Sequence, residues 1–151
     1  MSLPNSADFA LVSIQTAVGP PAVYKLLCGI EGVTINRTAQ TNETYRRDCA
    51  TPNRPGQRKL RVTGSSWSIS GTGSDNIDLE TDYSDAFGVR KIYEVELFKD
   101  DGTDAGESMG TYVGTALMTT RNQSYSIEGD SGTVEITLEG EGELVWAVAA
   151  P

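Results

Sequence analysis

Seven of the chain's twelve basic residues fall between Arg37 and Arg61: Arg37, Arg46, Arg47, Arg54, Arg58, Lys59 and Arg61. Only Glu43 and Asp48 lie among them, so the segment carries +5. Such a run can grip carboxylates, because the guanidinium fork meets a carboxylate bidentately and is weakly hydrated. From Val62 onward seventeen carboxylates face four basic groups (Arg90, Lys91, Lys99, Arg121), a balance of −13, and the first 36 residues add −1. A positive segment and a negative body on one chain suit head-to-tail packing of copies, since a patch that meets a different patch closes a ring or propagates a filament. Ordinary solvated surface produces the same split.

Catalytic constellations are sparse. The chain has no histidine, which removes His-based triads, Cys–His nucleophiles and the usual zinc sets. Paired carboxylates suffice for glycoside hydrolysis, but here they fall on strand faces and loops that read as solvated. The run Asp100-Asp101-Gly102-Thr103-Asp104-Ala105-Gly106-Glu107 fits no EF-hand register, which needs oxygens at positions 1, 3 and 5 and glycine at 6; it reads as a hairpin tip. Gly71-Thr72-Gly73 lacks the third glycine of a dinucleotide fingerprint. Asp78, Asp82 and Asp85 share a face of the one expected helix, as a solvated face or as a docking surface for basic residues. Cys28 and Cys49 read as two small buried thiols; a late bridge between them is the alternative, and the spacing leaves both open.

The elements that must position these groups are mostly strands. Residues 1–21 mix Pro4, Gly19, Pro20 and Pro21 with a short apolar piece from Phe9 to Ile14, and read as an extended arm with one strand, serving assembly more than folding. Val23 to Cys28 is apolar at both alternating sets, as in a strand covered on both faces. Residues 39–59 lack large aliphatics and read as a long basic inter-strand loop, well beyond the ~4–6 residues of a typical connection. A strand from Leu60 to Ile69 follows, stopped by Gly71 and Gly73. Then comes a helix over 76–87, capped by Ser74 or Asp75, with Leu79, Tyr83, Ala86 and Phe87 on one stripe. Tyr93, Val95 and Leu97 alternate with Glu94 and Glu96. Val134, Ile136 and Leu138 alternate with Glu135 and Glu139, and Leu144 to Val148 closes the chain. The fold class expected is mainly β: a β-sandwich or barrel with one flanking α-helix, in a single domain over 1–151.

With a pI near 4.4 the surface repels nucleic acid rather than holding it. No apolar run approaches the ~18 residues that span a bilayer, and the first ten residues lack the pattern of a secretory signal. Synthesis in a cytoplasm is expected.

Cys28-Gly29-Ile30, Val33-Thr34-Ile35-Asn36-Arg37-Thr38, Arg47-Asp48-Cys49, a Pro-rich piece and Trp67-Ser68-Ile69-Ser70-Gly71-Thr72-Gly73 together resemble the major tail (tail tube) proteins of long-tailed bacteriophages and gene transfer agents. The order that follows, a short helix, a strand hairpin and a terminal β-rich run, is similar to that family too. The resemblance implies a non-enzymatic structural protein of the virion tail with no cofactor, assembling as hexameric rings that stack into a hollow conduit for DNA. It implies that the arm and the long loop reach neighbouring copies. Its partners are then copies of itself and the tail tape-measure, tail-tip and tail-terminator proteins, with DNA passing without specific binding and no membrane contact.

Charge and resemblance converge on one mechanism. Arg37, Tyr45, Arg46, Arg47, Arg54, Arg58 and Lys59 are the expected donor patch, and Asp78, Asp82 and Asp85 the acceptor. Either Glu94 and Glu96 or Glu135 and Glu139 are expected to line a negative bore. The inner tube of a contractile injection or secretion apparatus is the alternative within the structural class; a monomeric immunoglobulin-like binding module is the alternative outside it.

Overall fold

The computed structural model describes residues 3–129 and 131–150; the start of the expected arm, Met1 and Ser2, lies outside them. Seven strands form one antiparallel sheet in the order β2-β1-β5-β6-β7-β4-β3. They are β1 (Phe9–Ala17), β2 (Val23–Leu26), β3 (Ile30–Arg46), β4 (Gln57–Ser74), β5 (Arg90–Lys99), β6 (Glu107–Ser124) and β7 (Thr133–Val148). The sheet curls until β1 comes up against β3, which lies at the opposite edge. One face is thus turned inward on a single core and the other is convex. Among the described residues no helix is long and apolar enough to cross a membrane.

The inward face follows the period-2 pattern. Val12 and Ile14 of β1, Ile69 of β4, Tyr93 and Val95 of β5, Ala116 and Met118 of β6, and Val134, Ile136 and Leu138 of β7 are all buried in one cluster. The helical segment closes it: a 3-10 turn (Ile77–Leu79) runs into α1 (Glu80–Ala86), and Leu79, Tyr83 and Ala86 join the core. The cap is Asn76 rather than Ser74 or Asp75; its side-chain oxygen accepts from the Asp78 amide at 3.1 Å. Phe87, expected on the buried stripe, is half exposed, because α1 ends at Ala86 and the chain turns at Gly88.

Four expectations are corrected. The arm contains β1, a core strand between β2 and β5; the flanking prolines and glycine punctuate it without displacing it. Within 39–59 only 47–56 lies outside strands, since β3 and β4 pair continuously out to Arg46 and Gln57. Its polar Thr- and Asn-rich sequence hid strands that have no core to face. β2 is an edge strand with Val23 and Leu26 partly exposed, so it is not covered on both sides. β4 also runs through Gly71 and Gly73 rather than stopping at them. There the partner backbone approaches so closely that a Cβ at Gly73 would sit 1.8 Å from the Gly29 carbonyl oxygen.

Candidate assembly interface

β4 pairs with β7 only from Ser68 to Ser74. Beyond that point β3 and β4 pair with each other alone, so residues 38–46 and 57–66 form a two-stranded ribbon projecting from the sheet, with a bulge between Gln40 and Thr41. Tyr45, Arg46, Arg47, Arg54, Arg58 and Lys59 all lie on this ribbon and its tip. A lone two-stranded ribbon is marginal in water.

Opposed residues of an antiparallel pair share a face and successive residues alternate. The register therefore sorts the ribbon. Thr41/Val62, Glu43/Leu60 and Tyr45/Arg58 lie on one side; Asn42/Arg61, Thr44/Lys59 and Arg46/Gln57 lie on the other. One face is thus apolar at its centre, with Leu60 49%, Val62 64% and Tyr45 66% exposed, and the other is cationic. Charge alone marked this segment in the sequence; the apolar face was missed. Its trace was there in Lys59-Leu60-Arg61-Val62, a short apolar/charged alternation. At the tip the Arg47 guanidinium donates to the Pro52 carbonyl at 3.3 Å, and Asp48 caps the turn by accepting from the Ala50 amide at 2.9 Å.

Arg37 stands apart from the rest. It lies at the ribbon's root, its guanidinium 4.8 Å from the centre of the Tyr112 ring of β6, and Tyr112 in turn packs on Trp146 at 4.7 Å. That cation–π contact engages Arg37 with its own body.

The expected acidic acceptor is divided. Asp78 belongs to the 3-10 turn, ahead of α1. Asp82 is engaged by Lys25 of β2, whose Nζ donates to Oδ2 at 2.6 Å. Asp85 remains exposed on α1. A denser charge cluster, not anticipated from sequence, ties the helical segment to β6. Arg121 donates to both Glu80 oxygens at 3.1 and 2.6 Å, lies 4.4 Å over the Tyr83 ring, and sits 3.9 Å from Asp75. The Arg121 bond holds Glu80 below the usual carboxylate range, and burial pushes the Tyr83 phenol up to about 12. Arg121 and Asp75 have side chains only 7% and 5% exposed, so this is a fold-holding pair.

The four glutamates offered as two alternative sets share one surface. Glu94 and Glu96 oppose Val113 and Thr111 of β6, whose β7 partners are Val145 and Ala147. Glu135 and Glu139 oppose Thr72 and Ser68 of β4. All point away from the core, on the convex face, amid Ser and Thr. Partial burial, with Glu96 beside it, raises the Glu94 carboxyl above its ordinary range.

The cysteines are not buried: Cys28 and Cys49 are both exposed free thiols. Each sits in a connection between strands, Cys28 between β2 and β3 and Cys49 at the ribbon tip, so the apolar character of the thiol does not place it inside. The loop after β5 is a hairpin tip in which Asp101 accepts from the Thr103 amide at 3.0 Å.

A family model described as phage tail tube protein matches residues 5–146. No curated protein sequence matches the chain. Several solved structures share its fold. The tail of an empty gene transfer agent particle, determined with C6 symmetry, aligns with a TM-score of 0.66 at 20% identity, covering 91% of this chain and 95% of that one. The SPP1 tail tube gives 0.65 at 15%, covering 98% and 81%. The sheath–tube complex of an extracellular contractile injection system gives 0.60 at 18%, covering 93% and 88%.

Proposed function

The chain belongs to the phage tail tube protein family, and from that premise we propose how it builds a tube: six copies close a ring by each laying its ribbon on the next, and rings stack. It is a structural protein of the virion tail. The observation that carries the mechanism is the ribbon, a bare two-stranded element with three exposed apolar side chains on one face and cations on the other. A ribbon that packs on nothing in its own chain finds cover on a neighbour. Each rim ion pair contributes about 0.2–1 kcal/mol, so the arginines set register and orientation while the apolar face supplies adhesion. Of the seven basic and aromatic residues offered as donors, Tyr45, Arg46, Arg47, Arg54, Arg58 and Lys59 belong to this interface and Arg37 to its root. Asp82 is taken by Lys25 of its own chain, which leaves Asp78 and Asp85 as the acidic positions of the helical segment open to a neighbouring copy.

The convex face turns toward the bore in this reading, so that Glu94, Glu96, Glu135 and Glu139 from every copy give a wall that repels DNA in transit. Terminator, tip and tape-measure proteins meet the ends and interior of the same tube. A monomeric binding module accounts for the strands but leaves the ribbon's apolar face without a role.

Electron microscopy of the concentrated full chain, beside a variant with residues 39–64 replaced by a short turn, tests the reading. Rings or tubes from the full chain and single particles from the variant are expected. Tubes from the ribbonless variant, or a reconstruction with a positive bore, would overturn the corresponding half of the proposal.

A further inference from the structure

The ribbon needs a receptor, and one place on the body has the shape of one. β4 and β7 run paired from Ser74/Thr133 to Ser68/Glu139 and then part. Past the parting β4 enters the ribbon, while β7 continues to Val148 paired only with β6. Apart from the Gly142 carbonyl, which Trp67 engages, each strand therefore turns backbone N–H and C=O groups without a strand partner toward the gap, an open template for another strand.

Trp67 holds the two arms apart. Its indole fills the space over Gly140 and Gly114, where a Cβ would come within 2.1 and 2.6 Å of the ring. Its N–H donates to the Gly142 carbonyl at 3.1 Å, on the side chain's far edge. The cleft so formed has a volume of about 780 Å³ and is walled by Ser65, Ser66, Gly142, Glu143 and Leu144. Trp146 at the far end of β7 is 41% exposed, and Val145 and Val148 are exposed beside it.

We propose that this fork receives the ribbon of a second copy, whose outer strand, residues 38–46 of β3, adds to the free edge of β7 at residues 140–148. The inference rests on the ribbon-docking reading and names its receptor. Three observations support a second copy as the occupant. The two segments are of equal length, and β3 is itself a sheet edge with unpaired groups to offer. Glu143 lies in the cleft without an ion-pair partner among the described residues, whereas Glu141 is taken by Arg90; the incoming ribbon brings Arg46, while its Arg58 already faces Glu43 at 3.6 Å. Tyr45, Leu60 and Val62 share one face of the ribbon and find their match in Trp146 and Val148, which share one face of β7. Every copy owns one ribbon and one fork, so donation and receipt propagate around a ring, with strand addition supplying the backbone bonds and the side chains the register.

Two measurements on the full chain test this. Val145→Lys with Val148→Lys changes exposed positions, so the unassembled chain should melt as before, while charges on the edge strand block pairing and raise the critical concentration for assembly about ten-fold or more, the equivalent of ~1.4 kcal/mol. Unchanged assembly overturns the fork. In a Cys28→Ser/Cys49→Ser background, Val145→Cys is combined with Thr41→Cys, Glu43→Cys or Tyr45→Cys and assembled protein is oxidised with diamide. A covalent ladder from at least one pair supports the fork. A ladder only when Asp85→Cys replaces Val145→Cys would place the ribbon on the helix, overturning the fork while keeping the ribbon reading. Tubes from the ribbonless variant would instead defeat that reading itself.

Discussion

Replacing Tyr45, Leu60 and Val62 together by serine isolates the apolar half of the interface. These side chains retain 66%, 49% and 64% of their exposure in the single chain. Full burial of a large apolar side chain is worth about 1.5–3 kcal/mol, so covering the half to two-thirds still open yields about 1–2 kcal/mol each. The three together contribute about 3–6 kcal/mol per contact, and at ~1.4 kcal/mol per decade that is roughly 10²–10⁴ in association constant. The five ribbon-borne cationic donors at about 0.2–1 kcal/mol each are individually smaller and are weakened by salt. Light scattering across a concentration series reads the critical concentration, and a melt at a dilution where nothing assembles reads the fold. The triple variant should need about a hundred-fold more protein to assemble, at low and high salt alike, while melting within a few degrees of the parent. Assembly at the parental concentration would refute the adhesive role of this face. A large drop in the dilute melting temperature would show that the face already packs on its own body.

Arg46→Glu with Arg47→Glu should leave a folded chain whose assembly is impaired and becomes less sensitive to salt; normal tubes with the parental salt response would count against an electrostatic register. Tyr93→Phe should raise the melting temperature, because the Tyr93 hydroxyl is buried with no hydrogen-bond partner and removing it is worth about 1 kcal/mol, or about 2–4 °C for a chain of this size. Arg121→Met should cost about 3 kcal/mol at neutral pH by leaving the buried Asp75, still bonded by the Tyr125 hydroxyl, without a countercharge. The depressed Glu80 carboxyl makes that cost pH-dependent. A lowered carboxylate contributes stability above its unfolded value and loses it as pH falls through the folded one, so the gap between parent and variant should narrow below about pH 4 in denaturant titrations. Deleting residues 3–10 should lower the melting temperature as well as the tube yield. The deletion removes the Phe9–Phe98 stack at 5.1 Å and the Asp8 carboxylate that accepts from the Asp100 amide at 2.8 Å.

Those last contacts mark where sequence reasoning reached its edge. β7 and β5 were legible because Val134, Ile136 and Leu138, like Tyr93 and Val95, alternate with glutamates, and the period places one set in the core. The helix was legible from Leu79, Tyr83 and Ala86. β1 was misread because two prolines and a glycine after it suggest a tether, yet Val12 and Ile14 are central to the cluster. That centrality depends on β5, some eighty residues away. The ribbon was misread for the opposite reason. Thr41, Asn42 and Thr44 carry no burial signal because nothing in the chain buries them, and only the backbone ladder with Val62 to Lys59 makes them strand. The cationic cluster was legible by charge counting, which needs no fold. The four glutamates needed one: two alternating patterns far apart in sequence become a single surface only when strand order and register are known. Trp67 against Gly140 had no local trace at all.

The sequence around Leu60 has one more consequence, for the pool of newly made subunits. A ribbon with bare edges and apolar side chains is the kind of element that zips onto any similar strand, and a cell filling with such chains risks amorphous deposits. Here Lys59 and Arg61 bracket Leu60, and Arg61 precedes Val62; flanking cations act as gatekeepers that repel identical strands in random register. The same charges proposed to orient the subunit in its ring would keep it dissolved until a ring is there to join.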